Sequence, residues 1–250
     1  MDTIRYNHNH SYVTHISVQC HNAECVDTAK SNYVAKPIVM DEVRYEGNIS
    51  TRWGSMSADE MTQRFWMFFA KGAYCGHSET VLPGNWSTAG SPCHEPRCDH
   101  PHGTGPEWDH DEDPCPGWAG ACGCSPNMWW NHGGALHGDS PPRIAYFRSY
   151  AETATARNFR DLVSSTIAAG VYMLHNQKSG YRLVFFDNMV LRAPVAITLT
   201  LTGNHTATRI DYMQMTREPA LPHIVPAGVF KFTPPTADYI LELKHCAEIV

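Results

Sequence analysis

The stretch Lys36-Pro37-Ile38-Val39-Met40-Asp41-Glu42-Val43-Arg44-Tyr45-Glu46-Gly47 is an apolar run that ends abruptly in carboxylates and a glycine turn. Pro37 to Met40 is β-prone and bounded by turn residues, and an uninterrupted apolar strand is what a parallel sheet covered on both faces requires. Strand side chains alternate, so Ile38, Met40 and Glu42 share one face while Val39, Asp41 and Val43 share the other. Only one of the neighbouring acids can therefore enter a given site. The C-terminal ends of strands are where α/β barrels keep their chemistry, which makes Glu42 a candidate catalytic acid.

Working outward, Ser11 to Gln19 is another β-prone run, and Cys25 to Val34 can form a short helix before the Lys36 strand. Ser57-Ala58-Asp59-Glu60 is a capping box. After it, Met61, Phe65, Phe68 and Phe69 fall at helical spacing, and Gly72 offers a left-handed stop. Ala73 to Glu79 follows as a short strand whose alternation puts Ala73, Cys75, His77 and Glu79 on one face. The order βαβαβ predicts a right-handed parallel sheet with strands at 12–19, 37–43 and 73–79.

From Thr80 to Asp139 the composition shifts to Pro, Gly, Cys, His, Asp and Trp, which reads as a long loop or inserted lid. A helix resumes at Ser140-Pro141-Pro142, with Ser140 as N-cap and Pro141 in the first turn. Beyond about Asn158 short runs at 170–174, 181–186, 195–201, 208–213, 229–232 and 239–243 are separated by turn residues, as in a small antiparallel sandwich. The boundary is expected within Thr153–Asp161.

The 250 residues are 42% apolar, enough for one large or two ordinary domains with real cores. Net charge is −6 and no basic cluster stands out, so nucleic acid is not an expected partner. No apolar stretch approaches the roughly 20 residues that cross a bilayer, so no membrane association is expected, and the start shows no signal-peptide pattern. Nine cysteines, five of them (Cys93, Cys98, Cys115, Cys122, Cys124) in the long loop, favour an oxidising compartment, and the expected location is extracellular. Four Asn-x-Ser/Thr triplets, at Asn9, Asn48, Asn85 and Asn204, are compatible with secretion.

Two constellations carry chemistry. In the first, Glu42 shares a cleft with His77 and Glu79, at the ends of neighbouring strands roughly 4.8 Å apart. A retaining glycosidase needs two carboxyl groups about 5 Å apart, one as nucleophile and one as acid then base. Trp129 and Trp130 close the long loop, and Trp53 and Tyr45 follow the Glu42 strand. Sugar rings stack apolar C–H faces on indole and offer hydroxyls to Asn, His and Glu. The plainer readings are that these acids are solvated strand ends and that the tryptophans pack the loop. The second constellation is the loop's Cys93, His94, Cys98, His100, His102, His110, Cys115, Cys122 and Cys124. It could form disulfides, hold zinc, or remain unpaired thiols, and its spacing matches no paired zinc-knuckle pattern. No metal ligand set is assigned and no cofactor is expected.

The stretches Thr14–Gln19, Lys36–Asn48, Ala73–Thr80 and Trp129–Gly138 together resemble the final third of a (β/α)8 barrel in a group of glycoside hydrolase-like proteins related to clan A. These proteins also carry a C-terminal collagen-binding-like β domain. The resemblance implies a partial TIM barrel (last three βα units) at 1–157, with a Cys-rich insertion at 80–128 that has no counterpart in the family, followed by a small antiparallel β-sandwich at 158–250. It implies that Ser11–Gln19, Pro37–Val43 and Ala73–Glu79 are the sixth, seventh and eighth strands. It places the nucleophile at Glu42 and the acid/base upstream of Met1, with the missing N-terminal barrel portion as a partner.

The sequence therefore reads as a fragment of a retaining glycoside hydrolase-like protein acting on a carbohydrate, inactive as an isolated chain. Glu42 is its nucleophile, and His77, Glu79, Trp129, Trp130, Gln19, His15 and Tyr45 contact the substrate. The alternatives are a non-catalytic carbohydrate- or matrix-binding protein and a metal-binding Cys/His-rich module.

Overall fold

The computed structural model describes residues 7–33, 36–47, 56–76, 138–154 and 159–246. The first elements alternate: β1 (Ile16–Gln19), α1 (Glu24–Asn32), β2 (Ile38–Glu42), α2 (Ala58–Ala70) and β3 (Tyr74–Cys75). The three strands pair in parallel in the order β1-β2-β3, as the sequence predicts. Ser57 caps α2 through the expected capping box, and Gly72 takes a left-handed φ of 78° two residues past the helix.

Helix α3 (Ser140–Ala154) leads to the antiparallel part: β4 (Val163–Ala168), β5 (Val171–Asn176), β6 (Tyr181–Phe186), β7 (Ile197–Leu201), β8 (His205–Asp211), β9 (Thr216–Val225), β10 (Gly228–Phe232) and β11 (Tyr239–His245). Six of these form one sheet in the order β4-β5-β6-β11-β8-β9, and β7 pairs with β10 in a second. The β7–β10 pair lays Ile197, Leu199, Phe230 and Phe232 against Val184, Phe186, Leu241 and Leu243 on one face of the large sheet, sandwich fashion. Its other face presents Leu174, Leu183, Phe185, Ile210 and Ile240 to the helices.

The partial-barrel expectation is corrected here. Among the described residues the chain is mostly β, with three helices and predominantly antiparallel strands, and βα units of a barrel are not what organises it. Helix α2 shows why. A barrel's outer helix keeps a solvent face. In α2 every residue from Met61 to Ala70 is buried, including Thr62, Gln63 and Arg64. The helix is an inner layer, touching β3 on one side and β5 and β6 of the antiparallel sheet on another. Trp66 lies 5.1 Å from Phe147 and 5.0 Å from Tyr150 of α3, ring centre to ring centre. One apolar cluster therefore runs from Ile16, Val18 and Met40 through Trp66 and Phe68 to Phe185 and Ile240.

Candidate functional site

Strand β2 delivers Glu42 through an irregularity. Ile16, Ser17 and Val18 pair with Ile38, Val39 and Met40, but Gln19 pairs with Glu42, so Asp41 is an extra residue in the ladder. Such bulges re-aim side chains where a strand ends. Asp41 is thrown to the exposed side, where its carboxylate accepts the Ser17 hydroxyl. Glu42 stays half-buried beside Gln19, and its main-chain carbonyl accepts the Cys20 N–H at 3.0 Å. The Cys20–Cys25 disulfide then closes the loop between β1 and α1.

Immediately beyond β2, Arg44 adopts a φ of 78°, a left-handed conformation that costs a non-glycine residue energy. That reversal brings Tyr45 back onto the strand end, where its hydroxyl donates to Glu42 Oε1 at 2.5 Å. A hydroxyl donating to a carboxylate at this distance is a strong, charge-assisted hydrogen bond and fixes the orientation of the acceptor. Glu46 is buried and turns the other way. Its carboxylate accepts the N–H of Asp139 at 2.9 Å, the N–H of Ser140 at 3.2 Å and the Ser140 hydroxyl. The three acids of the opening stretch thus have three separate environments: a surface hydroxyl, a tyrosine at the strand end, and the start of α3.

Under this rim lies Arg64 of α2. It donates to Met56 Sδ at 2.9 Å and to the main-chain carbonyl of His21 in the disulfide loop. Burial, with Arg44 as a like-charged neighbour, pulls its guanidinium down to about 10. Cys75 at the end of β3 is a free thiol, and burial pushes it well above its ordinary range.

Of the residues singled out by sequence, the structure brings Glu42, Tyr45 and Gln19 together. His15 is exposed, bonded to Thr14 at 3.1 Å, and precedes β1, so it stands at the opposite end of the strand from Gln19 and Glu42. His77, Glu79, Trp129 and Trp130 lie outside the described residues, as do the five loop cysteines. Among the described residues no group of three or more His, Cys, Asp or Glu side chains could hold a metal ion. No described helix is long and apolar enough to cross a membrane.

Sequence reasoning missed two features. The disulfide joins Cys20 to Cys25, and the only hint was a pair of cysteines five apart flanking a turn. Glu242, buried in β11, accepts Tyr150 at 2.8 Å and pairs with Arg217 and Lys244. Its only sequence signal was a charge interrupting an apolar strand.

No protein-family model and no curated protein sequence matches the chain. Solved structures do, among them the following two. A crystal structure of a candidate glycoside hydrolase from Bacteroides vulgatus matches over 96% of this chain and 43% of its own, at 18% identity and a TM-score of 0.58. A second structure, described as a glycoside hydrolase, matches over 90% of this chain and 46% of its own, at 12% identity and a TM-score of 0.54. The chain spans less than half the length of both, and its fold is glycoside hydrolase-like.

Proposed function

We propose that this chain supplies the nucleophile of a retaining glycoside hydrolase acting on a carbohydrate, with Glu42 as that nucleophile. The observation that carries the reading is the Tyr45–Glu42 hydrogen bond of 2.5 Å at the end of a parallel strand, on a carboxylate re-aimed by a bulge. Glu42 would attack the anomeric carbon as the bond to the leaving oxygen breaks, and the resulting glycosyl ester would then be opened by water. Tyr45 would hold the attacking oxygen in line and Gln19 would meet a sugar hydroxyl. His77, Glu79, Trp129 and Trp130 remain assigned to the sugar subsite, and residues 158–250 act as a companion β domain. The carboxyl group that protonates the leaving oxygen comes from outside the described residues, because Asp41 is engaged by Ser17 and Glu46 by α3. Secretion is part of the same proposal and is in keeping with the Cys20–Cys25 disulfide.

Those two engagements also favour a second reading, a non-catalytic carbohydrate-binding protein. One substitution separates the two. In the whole protein Glu42→Gln keeps the shape of the side chain and loses the nucleophile. It should abolish turnover while glycan binding persists, whereas wild-type turnover in the variant would leave the binding reading in front.

A further inference from the structure

The segment before β1, Asn7-His8-Asn9-His10-Ser11-Tyr12-Val13-Thr14-His15, contains no Asp, Glu, Lys or Arg. It is nonetheless held firmly. Lys36 Nζ donates to the carbonyls of His8 at 2.5 Å and His10 at 2.8 Å, so that ammonium is occupied by the backbone. The buried His8 accepts the Ser17 N–H at 3.2 Å and sets its ring edge-on to Tyr33. A turn closes from Val13 N–H to the His10 carbonyl at 3.1 Å.

What this scaffold displays is an exposed aromatic plane. Tyr12 is 78% exposed, the most exposed aromatic side chain among the described residues. Its ring is stacked on the exposed His10 ring with centroids 5.1 Å apart and planes within 8° of parallel. Its neighbours in the chain, Asn9, Ser11, Thr14 and His15, are all exposed and all carry hydrogen-bonding groups. An exposed aromatic ring in a rigid setting binds without paying much ordering entropy. A protein-docking patch would need contiguous apolar surface, which these polar neighbours deny it. An anion would need a cation, and Lys36 is already used. A flat exposed ring in a segment rich in hydrogen-bonding side chains matches a sugar, whose apolar C–H face stacks while its hydroxyls are met at the sides.

We propose that the His10–Tyr12 pair is a binding platform for a neutral sugar ring of a glycan, at the end of the parallel sheet opposite Glu42. It goes beyond the Glu42 reading and stands without it. In that role His10 supports Tyr12 from one side, and His15 finds a place at a carbohydrate surface distinct from the β2 end that carries Glu42.

Affinity electrophoresis tests this, running the chain through gels containing laminarin, galactomannan, arabinan or xyloglucan. Wild type and Glu42→Gln should be retarded equally in at least one gel. Tyr12→Ala should bind about tenfold more weakly there, the scale of one aromatic stacking contact. Tyr12→Trp should keep the retardation and shift its fluorescence when the corresponding oligosaccharide is added, which also controls for folding. Tyr12→Ala migrating like wild type in every gel, or wild type retarded in none, would overturn the platform. A dimer seen by light scattering and lost only in Tyr12→Ala would assign the ring to self-association instead, and also overturn it. Loss of turnover in Glu42→Gln of the whole protein, with retardation of the chain intact, keeps the two proposals separable.

Discussion

Glu46 and Ser140, 94 residues apart, meet at the first turn of α3, where the carboxylate accepts both the backbone N–H and the hydroxyl of Ser140. A carboxylate at a helix N-terminus satisfies amides that have no partner within the helix and complements its dipole. Glu46→Ala should cost about 2 kcal/mol, the loss of a cap together with buried donors left unpaired. Urea unfolding of the variant measures it. Gly138→Ala should be destabilising too, because at a φ of 97° an added Cβ would run into the Glu46 carboxylate.

On the reading of Glu42 as nucleophile, Tyr45→Phe tests what the Tyr45 hydroxyl contributes to its orientation. If the proposed function holds, losing this hydrogen bond should lower kcat of the whole protein about ten- to hundredfold with little change in KM. An unchanged kcat would remove Tyr45 from the mechanism.

Asp187 predicts a pH dependence. Burial raises its carboxyl above the ordinary aspartate range, against hydrogen bonds from Met189 and Gln63 and the charge of Arg64, and with Asp238 adding to the rise. An acid whose folded pKa is raised holds its proton better folded than unfolded. Its contribution is therefore most favourable below the unfolded value, about 3.9, and is lost as pH rises through the folded value. Relative to Asp187→Asn, wild type should lose stability as pH increases from about 3.5, then level off. Urea midpoints across that range give the comparison, and a difference independent of pH would contradict it.

The Cys20–Cys25 bridge closes a short loop, with a sequence separation of 5. Chain-entropy reasoning assigns such a loop about 2 kcal/mol. Cys20→Ala with Cys25→Ala should lose that much stability, and a reducing agent should affect wild type but not the double variant by the same amount.

What was legible in the sequence was local. The Ser57–Glu60 box, the Gly72 stop and the alternation that groups Ile38 with Met40 each depend on residues a few positions apart and appear in the structure, whereas the bulge at Asp41 interrupts that alternation before Glu42. What failed needed long-range packing. A βαβαβ pattern looks the same in a barrel as in a short sheet buried beneath a helix, so only the antiparallel sheet behind α2 distinguishes them. Gln63 and Arg64 are buried because their partners, Asp187 and the His21 carbonyl, lie far off in the chain, where no local pattern reaches. Ser140 was expected to cap its own helix, but Glu46 provides the acceptor. Strand β9 was missed because Pro219 and Pro222 interrupt it, and prolines are tolerated where a strand lies at the edge of a sheet.

The burial of α2 on all sides bears on how the molecule comes apart. A helix that completes the cores of two sheets cannot leave one without exposing the other, so the parallel and antiparallel regions are expected to melt in a single transition. The amides of Met61–Ala70 should then exchange with deuterium only through global opening, and be the slowest in the chain.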